Sequence, residues 1–252
     1  MFTTFSLIDP IYFSTTLFYL AGLLTFLFRQ GKISFYLVLI GFGIHTFFLW
    51  NRAWLLGFFS PIALFEGIYF LPWCLALVRL SFPYFSKNKT LLDSSVGLLL
   101  ISSLVPFFFP LGIVPPFPKS QTPFAGLFFF FEGLAQAGFI LGAWAGFLFL
   151  KEKEGATVFH FFNIWGFVFY SIAQVVGAYW SFLGWATPIH WGSRHLQSAA
   201  LWCFYAALLH CRYLPDWTMK QEARLSLIGF LLILLFFYGG HFREITLPRI
   251  TG

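Results

Sequence analysis

The chain has 252 residues, 59% of them hydrophobic and only 10% charged, with a mean hydropathy of +0.81. That composition excludes a soluble globular domain. The net charge of +6 reflects which side of a membrane keeps the basic residues and is not a nucleic-acid footprint, so no nucleic-acid partner is expected.

A helix crossing a bilayer needs roughly 20 mostly apolar residues, because backbone polar groups find no water in a hydrocarbon core about 30 Å thick. Eight runs meet this in chain order: 11–28, 34–50, 62–80, 94–110, 124–150, 157–179, 195–213 and 225–240. The expected fold class is therefore all-α, a polytopic membrane helix bundle of about eight transmembrane helices forming one domain over 1–252. The leading "MFTTFSLIDP" has no basic n-region and no small-residue cleavage site, so the first run is expected to remain as a span. His45 lies in the second run, Glu66 near the outer end of the third, and Glu132 a few residues into the fifth. "FFFPLGIVPPFPKSQTPF" joins the fourth and fifth runs as a stiff Pro-rich connection, since its prolines cannot continue a helix. "KEKE" at 151–154 reads as a solvated turn before the sixth run. His160 lies near the inner end of the sixth run and His210 near the inner end of the seventh. Ionisable residues inside such runs are the best functional clues, because lipid exposure is expensive and they turn toward the bundle interior.

Orientation follows from the basic residues, since loops rich in Lys and Arg stay cytoplasmic. Arg29, Lys32, Arg79, Lys87, Lys89, Lys151, Lys153, Arg212, Lys220 and Arg224 fall on one side of an eight-span arrangement. Arg52, Lys119, Arg194, Arg243 and Arg249 fall on the other. This places both termini outside and makes the connection between the sixth and seventh runs extracytoplasmic. A multi-pass protein of the cell membrane, bathed in lipid, is the expectation. Cys74, Cys203 and Cys211 form neither a CxxC nor a zinc spacing and read as packing residues.

The outer connection "GAYWSFLGWATPIHWGSRH", 177–195, concentrates Trp180, Trp185, Trp191, His190, Arg194 and His195. Metal ligation would need three or four convergent ligands, and no HxH or HxxxH spacing occurs. Two readings stay open. One is an aromatic belt at the membrane interface. The other is a haem platform, in which aromatic rings cover the porphyrin, an imidazole ligates iron and Arg194 pairs with a propionate.

The order of residues adds a resemblance. The run "GAYWSFLGWATPIHWGSRHLQSAALWCFYAALLHCRY" resembles the tryptophan-rich segment of cytochrome c assembly membrane proteins of the CcsA/ResC type, written GAxWAxxxWGxYWxWDPKETWALxTWxxYAxYLHxR. Gly177, Ala178, Trp180, Trp185, Trp191, Trp202, Tyr205, Ala206, Leu209, His210 and Arg212 coincide with it without gaps. "SPIALFEGIYFLPW" is similar to the family's "PLSNLYESLxFLSW", with Glu66 at the glutamate of that motif, and "SLIGFLLILLFFYGG" is similar to its last span. "HTFFLW" and "ALFEGIYF" also resemble HemX-type proteins linked to tetrapyrrole synthesis.

The resemblance implies haem handling within the membrane, with non-covalent b-type haem as cofactor. It also implies His210 as ligand to the haem iron, a ResB/CcsB-type membrane partner supplying the opposite ligand, and apocytochrome c as acceptor. Within this chain, His160 matches the depth of His210 better than His45 does, at 1.5 Å of rise per residue. The tryptophan-rich stretch departs from the pattern at Gly192, Ser193, Arg194 and His195, which stand where the family carries Asp-Pro-Lys-Glu. Phe128 and Pro248 stand at about the positions of its two outer haem-ligating histidines. Participation in a haem lyase system is therefore an open expectation, with His190, His195 and His241 as outer replacements. The alternative is an accessory or regulatory HemX-like protein that retains the fold with weak or no haem binding. An unrelated transporter would line several spans with polar residues, whereas these spans are almost wholly Phe, Leu, Ile and Gly.

Overall fold

The structure, a computed structural model, describes residues 9–56, 64–82, 89–108, 122–152, 156–189 and 192–239. Among the described residues there are eight α-helices and no strand, in agreement with the all-helical bundle expected from the sequence. Five stretches are long and apolar enough to cross a membrane: Pro10–Leu27, Gly31–Trp54, Pro123–Lys151, Val158–Trp185 and Met219–Tyr238. The chain forms two compact units, one built on residues 1–117 and 241–252, the other on 118–240.

The first unit contains α1 (Pro10–Leu27), α2 (Gly31–Leu56), α3 (Leu64–Ser81) and α4 (Lys89–Leu104). Asp9 starts α1 by accepting from the Ile11 amide at 2.9 Å, with Pro10 set at the first helical position, where no amide is needed. Hydroxyls along the spans fold back on their own helix, as in Ser14 to Pro10 O, Thr16 to Tyr12 O and Thr46 to Phe42 O, which satisfies them without water. The core is aromatic. Tyr12 donates to the Ser103 carbonyl at 2.9 Å and meets the Tyr69 ring edge-on at 4.9 Å, beside Phe48. His45 is fully buried, with Nδ1 3.2 Å from the Tyr19 hydroxyl. The Arg52 guanidinium lies over Tyr69 at 4.8 Å, so its charge meets a ring face rather than lipid. The side chain of Glu66 lies outside the described residues.

The second unit contains α5 (Pro123–Glu152), α6 (Ala156–Trp185), α7 (Ser193–Cys211) and α8 (Met219–Ile233), with a π turn at Leu234–Tyr238. α5 packs along α6 and α8, and α7 lies against α6 and α8. Glycines spaced by four on α5 explain the closeness. A Cβ on Gly138 would stand 2.9 Å from the Gly166 Cα, and one on Gly146 would stand 3.2 Å from the Ala223 carbonyl oxygen. Between them, Gly142 faces the amide of Asn163. Lipid gives helices little hydrophobic reason to associate, so small residues that let backbones approach carry the packing. The interior is filled by Phe139 stacked on Tyr205 at 3.5 Å, with Tyr170, Leu201, Leu208, Ile233 and Phe237 around them.

Several boundaries differ from the sequence reading: α2 runs on to Leu56 and α4 begins at Lys89, and two more bear on the site. α6 runs through Trp185, so Trp180 and Trp185 stand on a helix rather than in a loop. It stops where Ala186 adopts a left-handed φ of 57°, two residues before Pro188. α8 begins at Met219 instead of about 225, because Thr218 and Gln221 form a reciprocal capping box.

Gly229 on α8 tests the packing account. A Cβ there would meet the Tyr205 Oη at 2.5 Å and Phe204 Cε1 at 2.9 Å. Gly229→Ala is expected to destabilise the protein by about 1–3 kcal/mol through overpacking. Thermal unfolding in detergent measures it, and an unchanged midpoint would show that the contact yields freely.

Candidate functional site

Two polar centres lie at opposite ends of the second unit. At the end carrying the start of α5, the end of α6 and the start of α7, which the charge rule makes the outer one, the aromatic side chains pack on each other. Trp180 lies 5.8 Å from the Phe128 ring, 6.0 Å from Phe129 and 6.0 Å from Trp185. Gly177 is needed beneath them, since a Cβ would stand 2.8 Å from Phe128 Cδ2. Phe128, at the place where the family resemblance puts a ligating histidine, is thus a buried apolar spacer between Gly177 and Trp180.

Behind these rings, Arg194 in the first turn of α7 reaches Glu132 on α5. Its Nη2 donates to both carboxylate oxygens, at 2.9 and 2.7 Å, and its guanidinium lies 4.6 Å over the Phe237 ring. Glu132 is buried whereas the Arg194 side chain is 35% exposed. The arginine therefore neutralises a carboxylate inside the bundle while its Nη1 and Nε carry no hydrogen bond among the described residues. Nearby, the Tyr238 hydroxyl donates to Gln136 Oε1 at 3.3 Å. His195 is partly buried in the same first turn. His190 and Trp191 lie outside the described residues, as do His241 and Pro248.

At the opposite, inner end stand His210, His160 and Glu222. His210 is exposed on α7, and its Nδ1 lies 2.7 Å from the Ala206 carbonyl oxygen one turn back. A carbonyl only accepts, so Nδ1 carries the proton and a neutral ring keeps its lone pair on Nε2. His160 on α6 directs its Nδ1 to Glu222 Oε1 on α8 at 2.5 Å, with Glu222 buried and the His160 side chain 18% exposed. One turn further in, Asn163 Nδ2 donates to Ser226 Oγ at 2.6 Å, and Ser226 donates to the Glu222 carbonyl. These pairs tie the start of α8 to α6. The antiparallel pairing of α6 with α7 is fixed by Tyr170 with Ser198, Ser171 with Trp202 and Phe167 with Trp202. Carried inward at the same rise per residue, that register brings His160 to the level of His210.

Of the residues singled out from the sequence, the structure gathers Trp180, Trp185 and Arg194 at one end and His160 and His210 at the other. His45 belongs to the first unit. Among the described residues there is no group of three or more His, Cys, Asp or Glu that could hold a metal ion. Glu222 escaped the sequence reading, which left it in a connecting loop. The Thr218–Gln221 capping signal would have drawn it into a helix.

The geometry can be set beside known proteins. Residues 137–247, lying almost wholly in the second unit, match the family model of the cytochrome C assembly protein. The cytochrome c biogenesis protein CcsA of Prochlorococcus marinus (strain MIT 9215) is 34% identical over 82 residues, 32% of this chain and 26% of the relative. That of Porphyra purpurea is 32% identical over 77 residues, 31% of this chain and 24% of the relative. That of Chlamydomonas reinhardtii is 24% identical over 215 residues, 75% of this chain and 59% of the relative. The aligned stretches therefore span from about a quarter to three fifths of these relatives' lengths.

Fold and comparisons together define a multi-pass, all-helical membrane protein. Over residues 137–247 it is similar to the cytochrome C assembly protein family, and its listed relatives are CcsA-type proteins.

The Arg194–Glu132 pair yields a stability test. Arg194→Leu leaves a buried carboxylate uncompensated and is expected to cost about 2–3 kcal/mol, below the 3–5 of a fully buried pair because Arg194 is partly solvated. Combining it with Glu132→Leu should recover most of that loss. Unfolding midpoints of the two single variants and the double variant measure this, and a strictly additive double would exclude the coupling.

Proposed function

We propose that this protein binds non-covalent b-type haem at the inner end of its second unit and handles it within a cytochrome c assembly system. The observation that carries the reading is His210. Its Nδ1 is fixed by the Ala206 carbonyl, so Nε2 is the free, unprotonated nitrogen on an exposed helix face, as an iron ligand must be. His160, at the same level and with its Nδ1 likewise engaged, is the candidate for a second axial nitrogen.

The nitrogens and rings of the second unit suit such a group. His210 and His160 offer the nitrogens. Trp180 and Trp185, with Trp191 and His195, offer an outer aromatic surface, and His190 is a further outer ligand candidate. Arg194, at the opposite end from His210, would have donors to spare only for the propionate of a group presented at that outer surface, while Glu132 holds its Nη2 in place. Haem, once bound, would supply vinyl groups for attachment to thiols of a CxxCH acceptor. A ResB/CcsB-type membrane protein and apocytochrome c are the partners this reading calls for. The match of residues 137–247 to the cytochrome C assembly protein family and the His210 geometry support it.

One observation favours a second reading. Phe128 fills the space between Gly177 and Trp180, at the place where the family resemblance puts an outer ligand. A chain so built suits an accessory or regulatory role of the HemX-like kind, in which haem is sensed or held at the inner end but not presented outside.

An optical spectrum of the purified protein, oxidised and dithionite-reduced, decides whether haem is held. The wild type should show a reduced b-type band, and His210→Ala should lose most of it while keeping the unfolding midpoint. A folded wild type that takes up no haem when haem is supplied would overturn the proposal.

A further inference from the structure

The connection from α7 to α8 carries side chains that neither the packing nor the site uses. Tyr213 is 85% exposed, Leu214 55% and, at the start of α8, Met219 39%. Backbone bonds from the amides of Tyr213, Leu214 and Trp217 to the carbonyls of His210, Cys211 and Leu214, at 3.0, 3.0 and 3.2 Å, wind this stretch into successive turns. Around the exposed rings and methyls stand Arg212, Lys220 and Arg224, all exposed, against one acid of the connection, Asp216. Lys220 and Arg224 are four residues apart and so share a side of α8. None of these three cationic side chains has a hydrogen bond or ion pair among the described residues. Retention of cations on the inner side of a membrane accounts for their number. It does not account for Lys220 in the first turn of α8, where the helix dipole disfavours a positive charge, nor for apolar side chains exposed beside it. The acid of that turn, Glu222, is buried against His160 and leaves the lysine unanswered.

We infer that the inner end of the second unit is a docking surface for anionic phospholipid, with Arg212, Lys220 and Arg224 at the lipid phosphates and Tyr213 and Leu214 inserted at the boundary with the acyl chains. An amphipathic ring beside cations is what that boundary accommodates, and each Lys or Arg there adds attraction to a negatively charged leaflet. Exposed Lys151 joins them. It lies five residues beyond Gly146, which meets Ala223, and so comes to the depth at which α8 begins. For a headgroup layer a common depth suffices, and the cations need not face one another. A zwitterionic lipid offers the same apolar boundary without net charge, so headgroup charge is what the surface selects. An acidic protein would match the cations but not the exposed Tyr213 and Leu214, which lie one turn beyond a spanning helix. The inference stands apart from the haem reading and does not depend on it.

The test uses the full chain in nanodiscs of phosphatidylcholine, with and without phosphatidylglycerol. Native mass spectrometry reads which lipid is retained, and hydrogen exchange reads the amides of residues 212–218. The wild type should retain phosphatidylglycerol over phosphatidylcholine and exchange more slowly over 212–218 in the mixed discs. Lys220→Gln combined with Arg224→Gln should cut the preference by roughly fivefold per cation and remove the extra protection. Arg243→Gln combined with Arg249→Gln removes the same charge from the other side of the eight-span arrangement and should leave both readouts unchanged. Equal retention of the two lipids by the wild type would overturn the inference. So would a preference that survives loss of Lys220 and Arg224, or one that falls as far in the Arg243 and Arg249 variant, since overall charge would then explain it. A wild type indifferent to phosphatidylglycerol that binds a polyglutamate peptide through these cations would assign the surface to an acidic protein instead, and also overturns it. Should the Lys220 and Arg224 variant not fold, Arg212→Gln alone decides by the same two readouts.

Discussion

A charge inside a hydrocarbon-lined bundle must find its partner within the bundle, and the second unit is organised around that requirement. Glu132 and Glu222 are its two buried carboxylates among the described residues. Each is answered from another helix, Glu132 by Arg194 on α7 and Glu222 by His160 on α6. Each pair fixes the rotation of two helices about their axes, because the wrong rotation would strand a carboxylate in lipid at a cost of several kcal/mol. Dispersion between Phe and Leu side chains tolerates many rotations, whereas these two contacts tolerate few. The glycine row on α5 then sets how near the helices lie.

Those constraints also divide the unit chemically. Near its outer end the imidazole-free ring cluster of Phe128, Phe129, Trp180 and Trp185 is tightly self-packed, and the arginine is half committed to a carboxylate. Near its inner end two imidazoles have one nitrogen satisfied by protein and the other without a hydrogen bond among the described residues. Rings that satisfy each other make a rigid surface. The same helices thus present a wall at one end and a pair of donors at the other.

Much of this was legible in the chain itself. The eight apolar runs became eight helices because hydrocarbon leaves a span few alternatives to helix, so length and apolarity suffice. The pattern from Gly177 to Arg212 pointed to the family on its own. What stayed hidden were pairings. Arg194 lies 62 residues from Glu132, as Glu222 does from His160, and no local period links them. The reach of α6 to Trp185 was also unreadable, since an alanine in a left-handed turn carries no glycine or asparagine signature. By contrast, the start of α8 was written in Thr218 and Gln221, and overlooking it cost the placement of Glu222.

The change at the outer positions gains meaning from this geometry. A phenylalanine in place of a ligating histidine could be a simple loss, leaving a hole or a loose ring. Instead Phe128 is 8% exposed, abuts the bare backbone of Gly177 and meets the Trp180 ring at a tilt. The chain has repacked around the apolar side chain, so restoring an imidazole there would place a polar ring among aromatic faces with no hydrogen-bond partner described nearby. At His210 the ring stays exposed, and its hydrogen bond among the described residues is to its own helix backbone. Of the two ends, the inner one leaves an imidazole nitrogen without a hydrogen-bond partner among the described residues, and the outer one is filled by packed rings.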